Sequence, residues 1–104
     1  MTTKNEIISF IRDINNQYQD MGFKIVSLFG SYARDEADDF SDIDLTYKIN
    51  HDKFFKDNAY KKLEKLEEIK KLISKRFKTK VDFIPQNSKN RYIRENLQKE
   101  QILI

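Results

Sequence analysis

The order of hydrophobic periods in this chain predicts a small α/β domain: one mixed β-sheet flanked by helices. Apolar residues recur at helical spacing in two stretches, Ile7 to Tyr18 and Ala59 to Phe77. Between and after them, three short β-branched and aromatic runs read as strands. At 104 residues and 38% apolar content, the chain can fill a single small core, so one domain over residues 1–104 is expected.

Each element has its own signal. Thr3 and Glu6 have the spacing of a capping box, and Ile7, Phe10, Ile11, Ile14 and Tyr18 then form one apolar stripe. Gly22 stands where a helix stops, since glycine enters the left-handed cap conformation without a Cβ clash. Phe23 to Phe29 reads as a largely buried strand that ends at Gly30, followed by a short helical turn at Ser31 to Arg34 and a polar loop from Asp35 to Ser41. Asp42 to Tyr47 alternates polar and apolar, as a strand with one face in the core does. After a polar link, Ala59, Leu63, Leu66, Ile69, Ile73 and Phe77 predict a long amphipathic helix with Lys and Glu on its outer face. Thr79 to Ile84 is a third strand, stopped by Pro85. A last helix is expected from Ser88 to about Lys99, with Tyr92, Ile93 and Leu97 inward, and Gln101 to Ile104 is either an edge strand or a contact patch.

Composition excludes several chemistries. With no Cys there is no disulfide framework, zinc finger, iron–sulfur cluster or thiol nucleophile, and His51 is the single histidine. His51 lies in the polar link and reads as an ordinary surface residue. Metal chemistry must therefore rest on carboxylates. No apolar run approaches the roughly 20 residues that span a bilayer and no signal-peptide pattern is present, so no membrane partner and a cytoplasmic location are expected. The net charge of +3 is a weak field, but its distribution is uneven. Six of the ten residues from Asp35 to Asp44 are acidic, whereas from Leu45 to Lys80 twelve Lys/Arg face five Asp/Glu. The basic helix reads as a solvated face whose Lys stems cover apolar surface, so nucleic acid is not the expected partner.

Three carboxylates sit in strand-like segments. Asp42 and Asp44, two apart, project from one face of a strand, and Asp82 lies between Val81 and Phe83 in another. Crowded carboxylates of this kind form a hard-oxygen site suited to Mg²⁺, completed by water and substrate phosphates. The plainer reading of Asp82 is an ion pair with Lys80 or another Lys, and the site reading is preferred to it. An EF-hand reading of Asp42 and Asp44 fails because Leu45-Thr46-Tyr47 continues as a strand. Gly30 and Ser31 follow the first strand, where a glycine lets backbone N–H groups approach a phosphate and a helical turn points its N-terminus at the same anion. Ser31 adds a hydroxyl donor, or caps the turn. A phosphate cradle beside carboxylate-held metal implies nucleotidyl or phosphoryl transfer with two metal ions.

The stretch Leu28-Phe-Gly-Ser-Tyr-Ala-Arg34 followed by Ser41-Asp-Ile-Asp-Leu45 has Gly-Ser, ten residues, then Asp-x-Asp. It resembles the minimal nucleotidyltransferase (MNT) family of the DNA polymerase β-like nucleotidyltransferase superfamily, and Val81-Asp82-Phe83 fits the place of that family's third carboxylate. The resemblance covers most of the chain. It implies the polymerase β-like fold, Gly30 and Ser31 at the phosphates of ATP or another NTP, and Asp42, Asp44 and Asp82 as catalytic residues holding two Mg²⁺ ions. It also implies that Asp82 helps deprotonate the acceptor and that Arg34 contacts the triphosphate or pairs with an acidic loop residue. Asp35 departs from the pattern, since relatives commonly carry Gly there.

The function expected is transfer of NMP, with AMP foremost, from an NTP to a hydroxyl. Nucleotidyltransferases that act on tRNA, DNA or antibiotics generally carry further domains, so here another chain is expected to present the acceptor. By family resemblance that partner is a HEPN-domain toxin encoded nearby, and this chain is its antitoxin. The alternative is a catalytically weak or inactive MNT domain that neutralises its partner by binding alone, and Asp35 is the feature behind it. The apolar end Ile102-Leu103-Ile104 leaves room for a homo-oligomer.

Overall fold

A computed structural model describes residues 2–86 and 101–104. Helix α1 runs Lys4–Tyr18, and the Thr3 side chain accepts the Glu6 N–H at 3.2 Å, as the capping pattern predicts. A 3₁₀ turn, Gln19–Met21, ends at Gly22 in the left-handed conformation (φ 88°). Strand β1 is Phe23–Phe29, β2 is Ile43–Ile49, helix α2 is Ala59–Phe77, β3 is Val81–Pro85 and β4 is Ile102–Leu103. The helix expected from Ser88 to Lys99 lies outside the described residues, whereas the tail takes the edge-strand alternative.

The four strands form one sheet in the order β3-β2-β1-β4. β1 runs antiparallel to both β2 and β4, and β2 runs parallel to β3, so the sheet is mixed as expected. A parallel pair needs a crossover, and α2 supplies it. Pro85 closes β3 at the sheet edge, where its missing N–H breaks no inner ladder.

β1 is not a uniformly buried strand. Its register shifts at Val26: Ile25 opposes Tyr47, but Ser27 already opposes Thr46. Two residues on β1 thus stand against one on β2, a β-bulge. Before the bulge Phe23 and Ile25 face the core and Lys24 faces out. After it Leu28 opposite Leu45 faces the core, while Ser27 and Phe29 share a face with Thr46 and Asp44. The core joins Ile25, Leu28, Ile43, Leu45 and Val81 of the sheet to Ile7, Ile11 and Ile14 of α1 and Ile69, Ile73 and Phe77 of α2.

Two sequence expectations are corrected here. The apolar stripe of α2 is buried only from Ile69 onward; Leu63 is 62% exposed and Leu66 half-buried. The link before α2 is not purely polar, because Phe54 is fully buried against Phe23, ring centroids 5.9 Å apart.

The outer edge of β1 is covered piece by piece. The Asn15 amide pairs with the backbone of Ile25 as a peptide would: Nδ2 donates to the Ile25 carbonyl at 2.9 Å, and Oδ1 accepts the Ile25 N–H at 2.8 Å. The Ile104 N–H donates to the Val26 carbonyl at 2.8 Å, and β4 pairs with Ser27 and Leu28. So covered, β1 leaves only the two-residue β4 as the sheet's edge on this side.

Candidate functional site

The sheet register brings the motif residues together. Phe29 opposes Asp44, and Asp44 lies beside Asp82 in the parallel ladder. Gly30 therefore sits next to the Asp44 carboxylate. Gly30 is in the left-handed region (φ 79°), and a Cβ built on it would overlap Asp44 Oδ2. Only glycine fits at that position, for both reasons. Asp42 stands one residue before β2 rather than within the strand expected to contain it, so no ladder fixes its side chain.

After Gly30 the chain forms one tight helical turn. The Arg34 N–H donates to the Gly30 carbonyl at 3.1 Å, and the Glu36 N–H to the Ser31 carbonyl at 2.8 Å. In such a turn the first N–H groups, those of Ser31 and the residues after it, point away from the bonded carbonyls. Asp35 holds a left-handed conformation (φ 58°), which explains why glycine suits the position. Aspartate is among the residues that tolerate it, so the loop keeps its path. Its carboxylate accepts from Lys4 Nζ at 3.0 Å. Beyond it, Asp38 and Ser41 close a small turn: Ser41 Oγ accepts the Asp38 N–H at 2.9 Å, and Asp38 Oδ1 accepts the Phe40 N–H at 2.9 Å.

The electrostatics follow from this crowding. Burial, the neighbouring Asp82 and Asp42 charges and a hydrogen bond with the Asp82 side chain push the Asp44 carboxyl up from 3.8 to about 6. Arg34 acts in the opposite sense on Asp44 while its Nε donates to Glu36 Oε2 at 2.9 Å. Arg34 thus pairs with an acidic loop residue, one of its two expected roles. Lys80 makes no ion pair with Asp82, whose neighbour is Asp44 instead.

Among the described residues, no three His, Cys, Asp or Glu side chains are grouped tightly enough to hold a metal ion as they stand. The donor chemistry nevertheless fits a hard divalent cation: two carboxylates in contact, a third on an unpaired segment beside them, and a raised pKa that a cation would relieve. Two concavities among the described residues lie elsewhere. One of about 350 Å³ is lined by Tyr47, Lys48, His51 and Pro85, and one of about 430 Å³ by Lys24, Lys48 and Lys53. The carboxylates stand on the sheet face rather than in either of these.

Sequence reasoning missed two positioning features. Ser27 and Thr46 are fully buried and share a hydrogen bond of 2.5 Å, on the carboxylate face and one step along from Phe29 and Asp44. Asn15, which anchors β1 to α1, is the other. Ser27 could be picked out only as a small polar residue in a largely apolar strand, whereas Thr46 and Asn15 lie in elements of mixed polarity and gave no signal.

Among the described residues, no helix is long and apolar enough to cross a membrane. A family model described as a nucleotidyltransferase domain matches residues 8–104. A Methanocaldococcus jannaschii protein described as a candidate protein adenylyltransferase is 30% identical over 106 residues, all of both chains being covered. A solved structure described as a candidate minimal nucleotidyltransferase superposes with a TM-score of 0.70 at 20% identity, over 99% of this chain and 97% of that one. A second, a toxin–antitoxin with AMP-PNP, gives 0.61 at 17% identity, over 98% of this chain and 72% of that one. The site geometry, the family model and the full-length relative agree: this chain belongs to the nucleotidyltransferase domain family, and its fold is that of the minimal nucleotidyltransferases.

Proposed function

We propose that this nucleotidyltransferase moves AMP from ATP to a hydroxyl of a partner protein, in the cytoplasm, as the antitoxin of a toxin–antitoxin pair whose toxin is a HEPN-domain protein. The observation that carries the site is the contact of Gly30 and Asp82 with the same carboxylate, Asp44, on one sheet face. The acceptor class is supported by the relative described as a candidate protein adenylyltransferase, and the pairing with a toxin by the toxin–antitoxin structure.

In this reading Asp42, Asp44 and Asp82 hold two Mg²⁺ ions, which when bound neutralise the triphosphate and acidify the acceptor hydroxyl. Gly30 and Ser31 receive the β- and γ-phosphates on backbone N–H groups and the Ser31 hydroxyl, and Arg34 adds positive charge beside them. Asp82 takes the proton as the acceptor oxygen attacks the α-phosphorus. The bond from that phosphorus to the bridging oxygen breaks, and pyrophosphate leaves in line.

The test is incubation with α-labelled ATP, Mg²⁺ and the product of the neighbouring gene. Label is expected on the partner and is expected to disappear in Asp42→Asn with Asp44→Asn. If no label is transferred and neutralisation of the partner survives the double substitution, the chain acts by binding alone. Asp35 does not favour that second reading, since it occupies the backbone conformation that glycine would.

A further inference from the structure

On the face of β2 that carries Asp44 and Thr46, the next residue in the row is Lys48, and it is exposed. Directly opposite it on β1 stands Lys24, also exposed. Like charges facing each other across an antiparallel pair are destabilising. Here a third is added: Gly22 accepts the Asn50 N–H on its carbonyl at 2.7 Å and lies so close to Lys53 that a Cβ on it would sit 2.9 Å from the Lys53 Cβ. The three lysines line the concavity of about 430 Å³, together with Gln19 and Asn50. Among the described residues none of the three has an ion-pair partner, although other lysines find one, such as Lys65 with Glu68 at 2.9 Å. His51 borders Lys48 in the neighbouring concavity and adds no negative charge.

An unrelieved cluster of this kind is built to receive negative charge. From Asp44 to Lys48 is four residues of strand, about 13 Å at roughly 3.3 Å each. The reacting end of the face is crowded with Asp42, Asp44 and Asp82. A nucleic-acid strand carries a charge at every residue and would bring several of them among those carboxylates. A peptide can place an uncharged hydroxyl residue there and its carboxylates at the lysines. We infer that the Lys24–Lys48–Lys53 end of the sheet binds an acidic segment of the acceptor protein, three or four residues from the hydroxyl that is modified. The inference rests on the proposed transfer to a protein and identifies what marks that protein as substrate.

The test is binding of a fluorescein-labelled octaglutamate peptide to the full chain, read by anisotropy at low and physiological salt, without nucleotide or metal. Binding is expected to weaken at least tenfold in Lys24→Glu with Lys48→Glu, to weaken with salt, and to be unchanged in Lys71→Glu with Lys75→Glu, a matched change on exposed positions of α2. Asp44→Asn is expected to leave it intact while abolishing transfer, so the failure of this proposal and the failure of the transfer reading give different results. Without peptide, Lys24→Glu alone is expected to raise the melting midpoint by about 2 °C, because the new carboxylate faces Lys48. Absence of peptide binding, equal loss in the α2 variant, or a lowered midpoint in Lys24→Glu would overturn the proposal. So would tighter lysine-dependent binding of an octanucleotide of uridylate, in favour of a nucleic-acid partner.

Discussion

Asp44 is the residue on which stability and chemistry conflict. Its carboxyl is pushed up to about 6 by burial and by Asp82 and Asp42, so the folded chain resists ionising it. Below about pH 4 the group is protonated folded or unfolded; as pH rises through about 6 the folded state must carry the disfavoured charge, and stability is lost. The two-unit shift, discounted because the side chain is half exposed, corresponds to about 1–2 kcal/mol. Asp44→Asn is therefore expected to melt higher than the wild type at pH 7.5 and alike at pH 4, in metal-free buffer, while transferring no nucleotide. Thermal melts across that pH range check the first statement. Gly30 is bound to the same point: Gly30→Ala must enter a left-handed conformation and displace the Asp44 carboxylate. A loss of more than about 1 kcal/mol and of most transfer activity is expected, measured by denaturant unfolding and labelled-ATP assay. Gly-Ser and Asp-x-Asp were legible in the sequence as a spacing. That Gly30 abuts Asp44 in particular was not, because it depends on a cross-strand register that no local pattern encodes.

At the scale of elements, periodicity located both α-helices and three of the four strands among the described residues, and the observed α2 has the expected bounds, Ala59–Phe77. It misjudged which parts of them are covered. Leu63 follows the helical period as well as Ile69 does, yet only the later turns of α2 meet the sheet. Periodicity reports a face, and burial depends on what lies opposite. Phe54 escaped because two aromatic residues in a polar link carry no period at all. The bulge at Val26 was hidden too, since a strand rich in Phe, Ile, Val and Leu reads as buried on both faces. Asn15 tests the joint between elements. Asn15→Ala removes two hydrogen bonds and leaves the Ile25 N–H and carbonyl unpaired, a loss of about 2 kcal/mol. Asn15→Asp keeps the acceptor and loses the donor, so an intermediate cost is expected. Urea unfolding of the two variants orders them.

For the whole molecule, the two ends of the described chain converge on one strand: α1 holds Ile25 through Asn15, and the tail holds Val26, Ser27 and Leu28. Removing residues 101–104 uncovers that edge and takes away the apolar contacts of the partly buried Ile102 and Ile104. A cost of about 2 kcal/mol and concentration-dependent association are expected, read by thermal melts and light scattering. The sheet face that carries the carboxylates also carries Lys24 and Lys48, so a substrate is met by charges of both signs.

The extra residue at Val26 acts as a phase setter for that face. Were Val26 to pair with Thr46 in a regular ladder, Phe23 to Ile25 would stay as they are, but the far half of β1 would slip by one: Ser27 would oppose Leu45 in the core and Leu28 would oppose Asp44. A chain lacking Val26 would instead keep both halves in place, since Ile25 and Ser27 would then fall opposite Tyr47 and Thr46 in an unbroken ladder. An added residue in β2 opposite the bulge would not be tolerated without a shift at one end. One backbone irregularity, invisible to composition and to period, decides which side of the sheet is chemistry and which is core.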